Sequence, residues 1–219
     1  MELKYSLTAL VTVLCTASAS QAAEWDIDGK HSSATFKIRH MMISDVRGQM
    51  GGIKGSVSYD GKNVDTIKVT AQLDPATINT GDTARDAHLK KSDFFDTDKY
   101  PVMTFESSGV IPIMRGGFKL GGKLTMHGVT KTVELSVDGP TEAIKDSHGA
   151  TRIGAAATTT VRRKDFGMTY NSVLDNGGVA LGDDVNITLE LELVKRETAA
   201  DANTAAPAAS SSDKKDSAK

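Results

Sequence analysis

The side chains best suited to chemistry in this chain are gathered in one segment, residues 79–101, called the insert here. The insert combines many charged residues with the imidazole of His88 and the aromatic pair Phe94 and Phe95. An imidazole close to a carboxylate such as that of Asp86 can move protons in general acid–base catalysis. The insert is therefore the first candidate for a functional site, and its role depends on the elements that position it.

The spacing of the other reactive residues does not favour a metal site or a nucleophilic enzyme. The five histidines show no HxH or HExxH pattern that would place two ligands on one ion. The sequence has no Gly-x-Ser-x-Gly elbow and no glycine-rich phosphate loop after a strand. We expect no metal and no catalytic residue, and the group around His40, His88 and Asp86 remains an enzymatic alternative.

Outside the insert, apolar and polar residues alternate with the period of two that half-buried strands show. Turn-forming pairs such as Asp60-Gly61 and Gly116-Gly117 separate these windows. About eight antiparallel strands predict an all-β fold, either a barrel or a sandwich, and closure into a barrel is favoured because it removes exposed strand edges. The clear windows are 34–38, 67–73, 118–126, 133–137 and 185–193, and the weaker ones are 49–59, 102–110 and 152–162.

The strand from Ile153 to Val161 predicts an internal cavity. It has no large side chain between its ends, so either face would leave volume unfilled. An eight-stranded barrel can hold one small ligand, and flexible thioethers suit an adaptable apolar lining. The alternative is that Phe and Leu side chains of other strands fill the gap. The methionines considered for the lining are Met41, Met42, Met50, Met103, Met114, Met126 and Met168.

The insert itself is expected to form two short helices across one end of the barrel. Asp82 or Thr80 can cap a first helix that runs to about Lys91, and Ser92 can cap a second short turn that presents the aromatic pair. Such a cap either gates a ligand or plugs the barrel, and both functions remain open.

The two ends of the chain are expected to lie outside the fold. Residues 1–22 combine Lys4, an apolar run and a small-x-small cleavage site, which predicts a secretory signal peptide too short to span a membrane. Residues 197–219 are small and polar and predict a disordered tail. One domain, residues 23–196, remains. Its scattered Lys and Arg, in a chain of net charge −2, predict no nucleic-acid partner.

Four motifs occur in order along this domain. The first motif lies at the start of the domain, and the second is the insert. The third begins within the predicted strand 118–126, and the fourth precedes the last predicted strand. They are Trp25-x-Ile27-Asp28-x-x-His31-Ser32, the insert, the run from Gly121 through Leu124-Thr125-x-His127-Gly128-Val129-Thr130, and Arg163-x-Asp165-Phe166-Gly167.

In these motifs and their order, the chain resembles the YceI-like polyisoprenoid-binding family from Glu24 to Val194. The resemblance implies a lipocalin-like, eight-stranded antiparallel barrel with a short helical cap inserted mid-chain. It also implies a periplasmic protein with an apolar tunnel for a polyisoprenoid, an isoprenoid quinone or a fatty amide. Specificity would then depend on tunnel length and width, because each buried CH2 contributes about 0.8 kcal/mol without polar recognition.

The expected function is a carrier or store that holds such a lipid without chemistry and without a cofactor. The alternatives are an enzyme or redox accessory acting on a bound quinone or lipid with an inner-membrane redox partner, and a structural barrel with a stress role. The fold resemblance also raises a homodimer, and no transmembrane segment is expected. The head group would lie near Arg85, His88 and Arg163. The full set expected to line the tunnel and its mouth is Phe36, Ile38, His40, Arg85, His88, Phe94, Phe95, Phe105, Leu124, Met126, Ala155, Ala157, Arg163 and Phe166.

Overall fold

The structure is a computed structural model that describes residues 22–113, 116–175 and 177–197. Nearly all of the predicted signal peptide and of the predicted tail lies outside these ranges, so both remain predictions. Met114 also lies outside them.

The described residues form eleven strands, one α-helix and three short 3-10 helices. The 3-10 helices cover Val64–Thr66, Pro75–Thr77 and Arg163–Phe166. The α-helix is α1 (Thr83–Leu89), and the strands are β1 (Ala23–Ile27), β2 (Ser33–His40), β3 (Ser44–Met50), β4 (Lys54–Tyr59), β5 (Lys68–Leu73), β6 (Met103–Pro112), β7 (Phe118–Met126), β8 (Val129–Asp138), β9 (Ile144–Lys145), β10 (Thr151–Arg162) and β11 (Leu181–Lys195).

The strands close into one antiparallel barrel with eight positions in its wall, as predicted. The ring runs β11, β1, β4, β5, β6, β7, β8 and β10, and β10 pairs back with β11. Along β11, residues 193–195 pair with β1 and residues 181–190 pair with β2, so β1 and β2 share one position in the wall. Likewise β3 pairs with β2 and β4 pairs with β1, which splits the predicted window 49–59 into two strands.

Large side chains fill one end of the barrel, called the closed end. Trp25, Tyr59, Ile67 and Phe118 are all buried there in one apolar cluster. The indole nitrogen of Trp25 donates to the carbonyl oxygen of Tyr59 at 3.4 Å, which satisfies its one polar group. The core is therefore densest at this end.

The insert covers the opposite end, called the capped end. The Asp82 carboxylate accepts from the backbone N–H of Arg85 at 3.0 Å, so the predicted N-cap is confirmed, but α1 ends earlier than expected. Residues 92–95 form turns, so the short turn expected after Ser92 is present, but the expected second helix is not. The N–H of Phe95 bonds to the carbonyl of Leu89 at 3.0 Å, and such long-reaching bonds fold the chain back onto the end of α1.

Candidate functional site

The barrel encloses a cavity of about 510 Å³ whose described lining is almost entirely apolar. Side chains from the barrel strands and from the insert contribute to it. A volume of this size lies within the range of about 300–1,000 Å³ that is typical of small-molecule sites. The interior is therefore not fully packed, and the unfilled space expected from β10 is present.

The small side chains of β10 account for much of this space. Ala155, Ala157 and Thr159 face the lumen on alternate positions, and their partners in register on β11 are Leu191, Leu189 and Ile187. Large aliphatic side chains of β11 therefore lie beside small side chains of β10, which contribute only methyl and hydroxyl groups to the cavity lining. The period-two spacing makes this arrangement a direct consequence of the local sequence.

Two glycines also keep aromatic rings out of the lumen. A Cβ on Gly48 would lie 2.4 Å from the ring of Phe36, and one on Gly122 would lie 2.4 Å from the ring of Phe105. Each ring therefore lies close against a glycine of a neighbouring strand, in space that the Cβ of any other residue would occupy. Both phenylalanines line the cavity.

The ionisable groups of the described lining are confined to one end of the cavity. Among the described lining residues, the ionisable side chains are those of His40, Arg85, His88, Arg163 and Tyr170, and all five lie at the capped end. Tyr170 and nearby Ser172 are also exposed, so the cavity reaches solvent beside them, at what is called the mouth here. The site is therefore amphipathic, with an apolar interior and a polar mouth.

Arg85 and Asp86 are both held by one residue of the insert. Arg85 donates from Nε to the hydroxyl of Thr80 at 2.7 Å and from its guanidinium to the Thr80 carbonyl at 2.9 Å. The Asp86 carboxylate accepts from the Thr80 N–H at 2.9 Å and from its hydroxyl at 2.6 Å. Asp86 is thereby turned toward Thr80, and the expected grouping of Asp86 with His88 does not form.

His88 instead pairs with Asp93, their side chains lying 2.6 Å apart. The hydrogen bond with His88 is the main reason that the pKa of the Asp93 carboxyl lies below its usual value. The His88 ring also contacts Phe94 and Tyr170 edge-on, with ring centroids 5.1 Å apart in each case. These three rings join the insert to the loop at residues 168–181.

Arg163 organises that loop rather than presenting a free charge. Its guanidinium donates to the carbonyls of Met168 at 2.8 Å, Tyr170 at 2.6 Å and Gly182 at 2.8 Å, and contacts Asp183 at 3.3 Å. Burial lowers the pKa of the Arg163 guanidinium, and these bonds compensate the buried charge.

Tyr170 is a mouth residue that sequence reasoning missed. It follows the Arg163–Gly167 motif closely, but nothing in its local pattern distinguishes it from a loop residue. Its position depends on the Arg163 bond to its carbonyl and on contact with Phe94, at a centroid distance of 5.1 Å.

The structure brings together most of the residues predicted to bind a ligand, although their role as ligand contacts stays a prediction. Phe166 differs: it is only 1% exposed, packs with Met126, Val161 and Met168, and is not among the residues lining the cavity. The predicted residues that do line the cavity are Phe36, Ile38, His40, Arg85, His88, Phe94, Phe95, Phe105, Leu124, Met126, Ala155, Ala157 and Arg163.

The methionines divide into two groups. Met50, Met103, Met126 and Met168 line the cavity as expected. The expectation is wrong for Met41 and Met42, which are exposed at the turn between β2 and β3 and do not line it.

One group of potential metal ligands lies outside the cavity. The side chains of Asp28, His31 and Glu192 are close enough to share an ion. The guanidinium of Arg152 already lies 2.8 Å from Asp28 and 2.5 Å from Glu192. Mainly because of that Arg152 contact, the pKa of Asp28 is held well below its usual value. This group is therefore an ion-pair network that joins the start of β2, β10 and β11.

No helix in the described part of the chain is long and apolar enough to cross a membrane.

Comparisons with known proteins agree on one family. The family model described as the YceI-like domain matches residues 25–193. A UPF0312 protein of Staphylococcus aureus (strain N315) is 37% identical over 167 residues, covering 75% of this chain and 94% of the relative.

Solved structures show the same fold. BcnA of Burkholderia cenocepacia superposes with a TM-score of 0.63 at 21% identity, covering 76% of this chain and 98% of that one. A polyisoprenoid binding domain from Saccharophagus degradans superposes with a TM-score of 0.57 at 15% identity, covering 80% of this chain and 100% of that one.

Proposed function

The chain belongs to the family of YceI-like domains, and from that premise we propose that it carries or stores a long-chain isoprenoid or similar amphiphile in its barrel cavity. The observation that carries the proposal is the cavity itself, whose described lining is almost entirely apolar and has its ionisable side chains gathered at the capped end. A prenyl lipid or an isoprenoid quinone has the matching division into an apolar chain and a polar head. The name of the domain from Saccharophagus degradans agrees with this ligand class.

The energetics favour long ligands. Ten buried CH2 groups contribute about 8 kcal/mol, while association costs about 4–15 kcal/mol. Affinity should therefore rise with chain length until the cavity is filled. Binding of this kind needs no reaction, and we propose a binding protein rather than an enzyme.

The proposed location is the periplasm. It rests on the predicted signal peptide at residues 1–22, and a carrier there would move a poorly soluble lipid through an aqueous compartment.

The decisive experiment reduces the volume of the cavity by a substitution in β10. Ala157 is buried and lines the cavity, whereas Ala156 is its neighbour on the opposite face of the strand and does not line it. Ala157→Phe should fill the lumen and weaken binding of a fluorescent polyisoprenoid, while Ala156→Phe should leave binding unchanged.

Native mass spectrometry of protein from its own host gives the independent readout. A long-chain lipid should co-purify with the natural sequence and be depleted in Ala157→Phe. The carrier function would be refuted by the absence of such a lipid together with no uptake of the fluorescent probe. Equal loss of binding in both variants, with both still folded, would also contradict the cavity as the site.

A further inference from the structure

The mouth is bordered by apolar side chains that the fold does not bury. Ile43 is 75% exposed and Met42 is 55% exposed at the turn between β2 and β3. Val173 is 79% exposed, and Val179 is also exposed, in the loop before β11. Together with Met41, these residues are called the apolar rim.

The apolar rim is continuous through backbone hydrogen bonds. The N–H of Met41 donates to the carbonyl of Ala180 at 2.7 Å, and Val173 pairs with Val179 as an isolated antiparallel bridge. The N–H of Ala180 donates in turn to the carbonyl of Ser172 at 2.9 Å. The turn and the loop therefore form one ordered surface.

The turn between β2 and β3 has a backbone conformation that is unfavourable for its apolar residues. Met41 and Met42 have φ angles of 49° and 62°, and the N–H of Ile43 bonds to the His40 carbonyl at 3.1 Å. Two consecutive residues in the left-handed region define a turn for which Asn-Gly is the favoured sequence. Methionine at both positions costs conformational energy, and both side chains stay largely exposed, so neither the turn nor the core explains these residues.

The rim adjoins the opening of the cavity. Ser172, whose carbonyl accepts the bond from Ala180, lines the mouth, and Leu181 pairs with His40 and also lines it. A ligand that leaves the mouth therefore meets apolar side chains before it meets open water.

The charged side chains nearest the rim are paired. Arg39 pairs with Asp45 at 3.4 Å, and Lys164 pairs with Asp183 at 2.9 Å. The exposed cross-strand neighbours Lys37 and Arg47 lie farther from the tip of the turn, so the charge next to the tip itself is balanced. Attachment by the rim would depend on insertion of apolar side chains.

On these observations, and resting on the proposed function, we propose that the apolar rim inserts into the surface of a neutral lipid bilayer. The mouth then opens toward the acyl region, and the lipid passes between bilayer and cavity without crossing water. The strength of such interfacial binding scales with the apolar area buried at the boundary between head groups and acyl chains.

The test uses the full-length mature chain and phosphatidylcholine vesicles that contain a fluorescent polyisoprenoid. The double variant Met42→Asn with Ile43→Thr removes apolar surface from the tip, and Asn is well tolerated in the left-handed region, so folding is retained. Ile144→Thr is the matched control, because Ile144 is 64% exposed but lies at the closed end.

We expect the natural sequence and Ile144→Thr to float with the vesicles and to extract the probe at the same rate. The double variant should lose flotation and extract the probe about tenfold or more slowly, given the apolar area removed. Probe delivered in detergent micelles should bind all three proteins equally.

Each other result overturns the inference. Unchanged flotation and extraction in the double variant would show that the rim is not the docking surface. Natural protein that binds micellar probe but never floats would refute docking and leave the proposed function intact. Failure to bind micellar probe would refute the proposed function, and docking with it. A dimer that dissociates in the double variant, without flotation of the natural protein, would assign the rim to a second copy of this chain.

Discussion

Gly48 controls how much of the lumen the Phe36 ring occupies. A Cβ built on Gly48 would lie 2.4 Å from Cζ of Phe36, 2.7 Å from Cε1 of the same ring and 3.0 Å from the Thr80 methyl. All three contacts are with side chains, and the backbone of Gly48 lies in the ordinary region that alanine adopts. Gly48→Ala therefore tests the cavity without breaking the sheet.

The size of the effect follows from the contact distances. The ring must move from 2.4 Å to the ordinary contact distance of 3.4 Å, about 1 Å, and the available direction is into the lumen. If the ring displaces two CH2 groups of ligand, binding weakens by about 1.6 kcal/mol, roughly tenfold in Kd. Folding stability should change little, because alanine in a strand recovers about 0.5–1 kcal/mol relative to glycine.

The assay is titration with a fluorescent polyisoprenoid together with thermal unfolding of the same samples. Gly109→Ala is the control, because Gly109 is also in a strand and has no atom within 4 Å of the added Cβ. Weaker binding in Gly48→Ala alone, at nearly unchanged stability, is the expected result. Unchanged affinity combined with a stability loss of about 1–3 kcal/mol would mean that Phe36 borders a packed core, which refutes the cavity reasoning.

Three further outcomes are expected. Tyr170→Ala should speed ligand release in stopped-flow fluorescence, because it removes two ring contacts at the mouth, whereas Tyr170→Phe should retain the natural rate; equal rates in both would contradict a role for the ring. Arg152→Gln should lower the Tm at neutral pH. The hydrogen bond from Arg152 lowers the pKa of Asp28 in the folded protein, and this stabilises the fold at pH values above the pKa of Asp28 in the unfolded chain, which is about 3.9. That Tm difference should shrink as the pH falls below about 4, and a difference independent of pH would contradict it. Asp82→Ala should accelerate hydrogen exchange at the Arg85 amide while Asp82→Asn should not, and equal exchange would exclude the cap.

Local patterns were sufficient for most of the long strands and for part of the cavity. The alternation in β2 and β11 assigns one face of each strand to the interior, because successive side chains in a strand point to opposite faces. The small residues of β10 predict unfilled volume for the same reason, since no choice of face supplies a large side chain. The Asp82 cap was predictable because it satisfies a donor only three residues away.

Errors arose where position depends on residues distant in the sequence. His88 pairs with Asp93 because the chain folds back after α1, and that reversal is built from backbone bonds that no periodicity signals. Met41 and Met42 were expected in the lining because composition indicates apolar character but gives no direction. Phe166 belongs to a recognisable motif, yet it is buried beneath the cavity wall.

The sequence by itself determined an all-β fold with small residues along one strand and a charged insert between two strands, and it favoured closure into a barrel. Tertiary structure alone decided which end is filled, that Tyr170 meets the insert, and that an exposed apolar rim borders the mouth. The physical reason is that hydrophobic periodicity specifies the face of each strand, whereas the ends of a barrel are assembled from loops that meet only after closure.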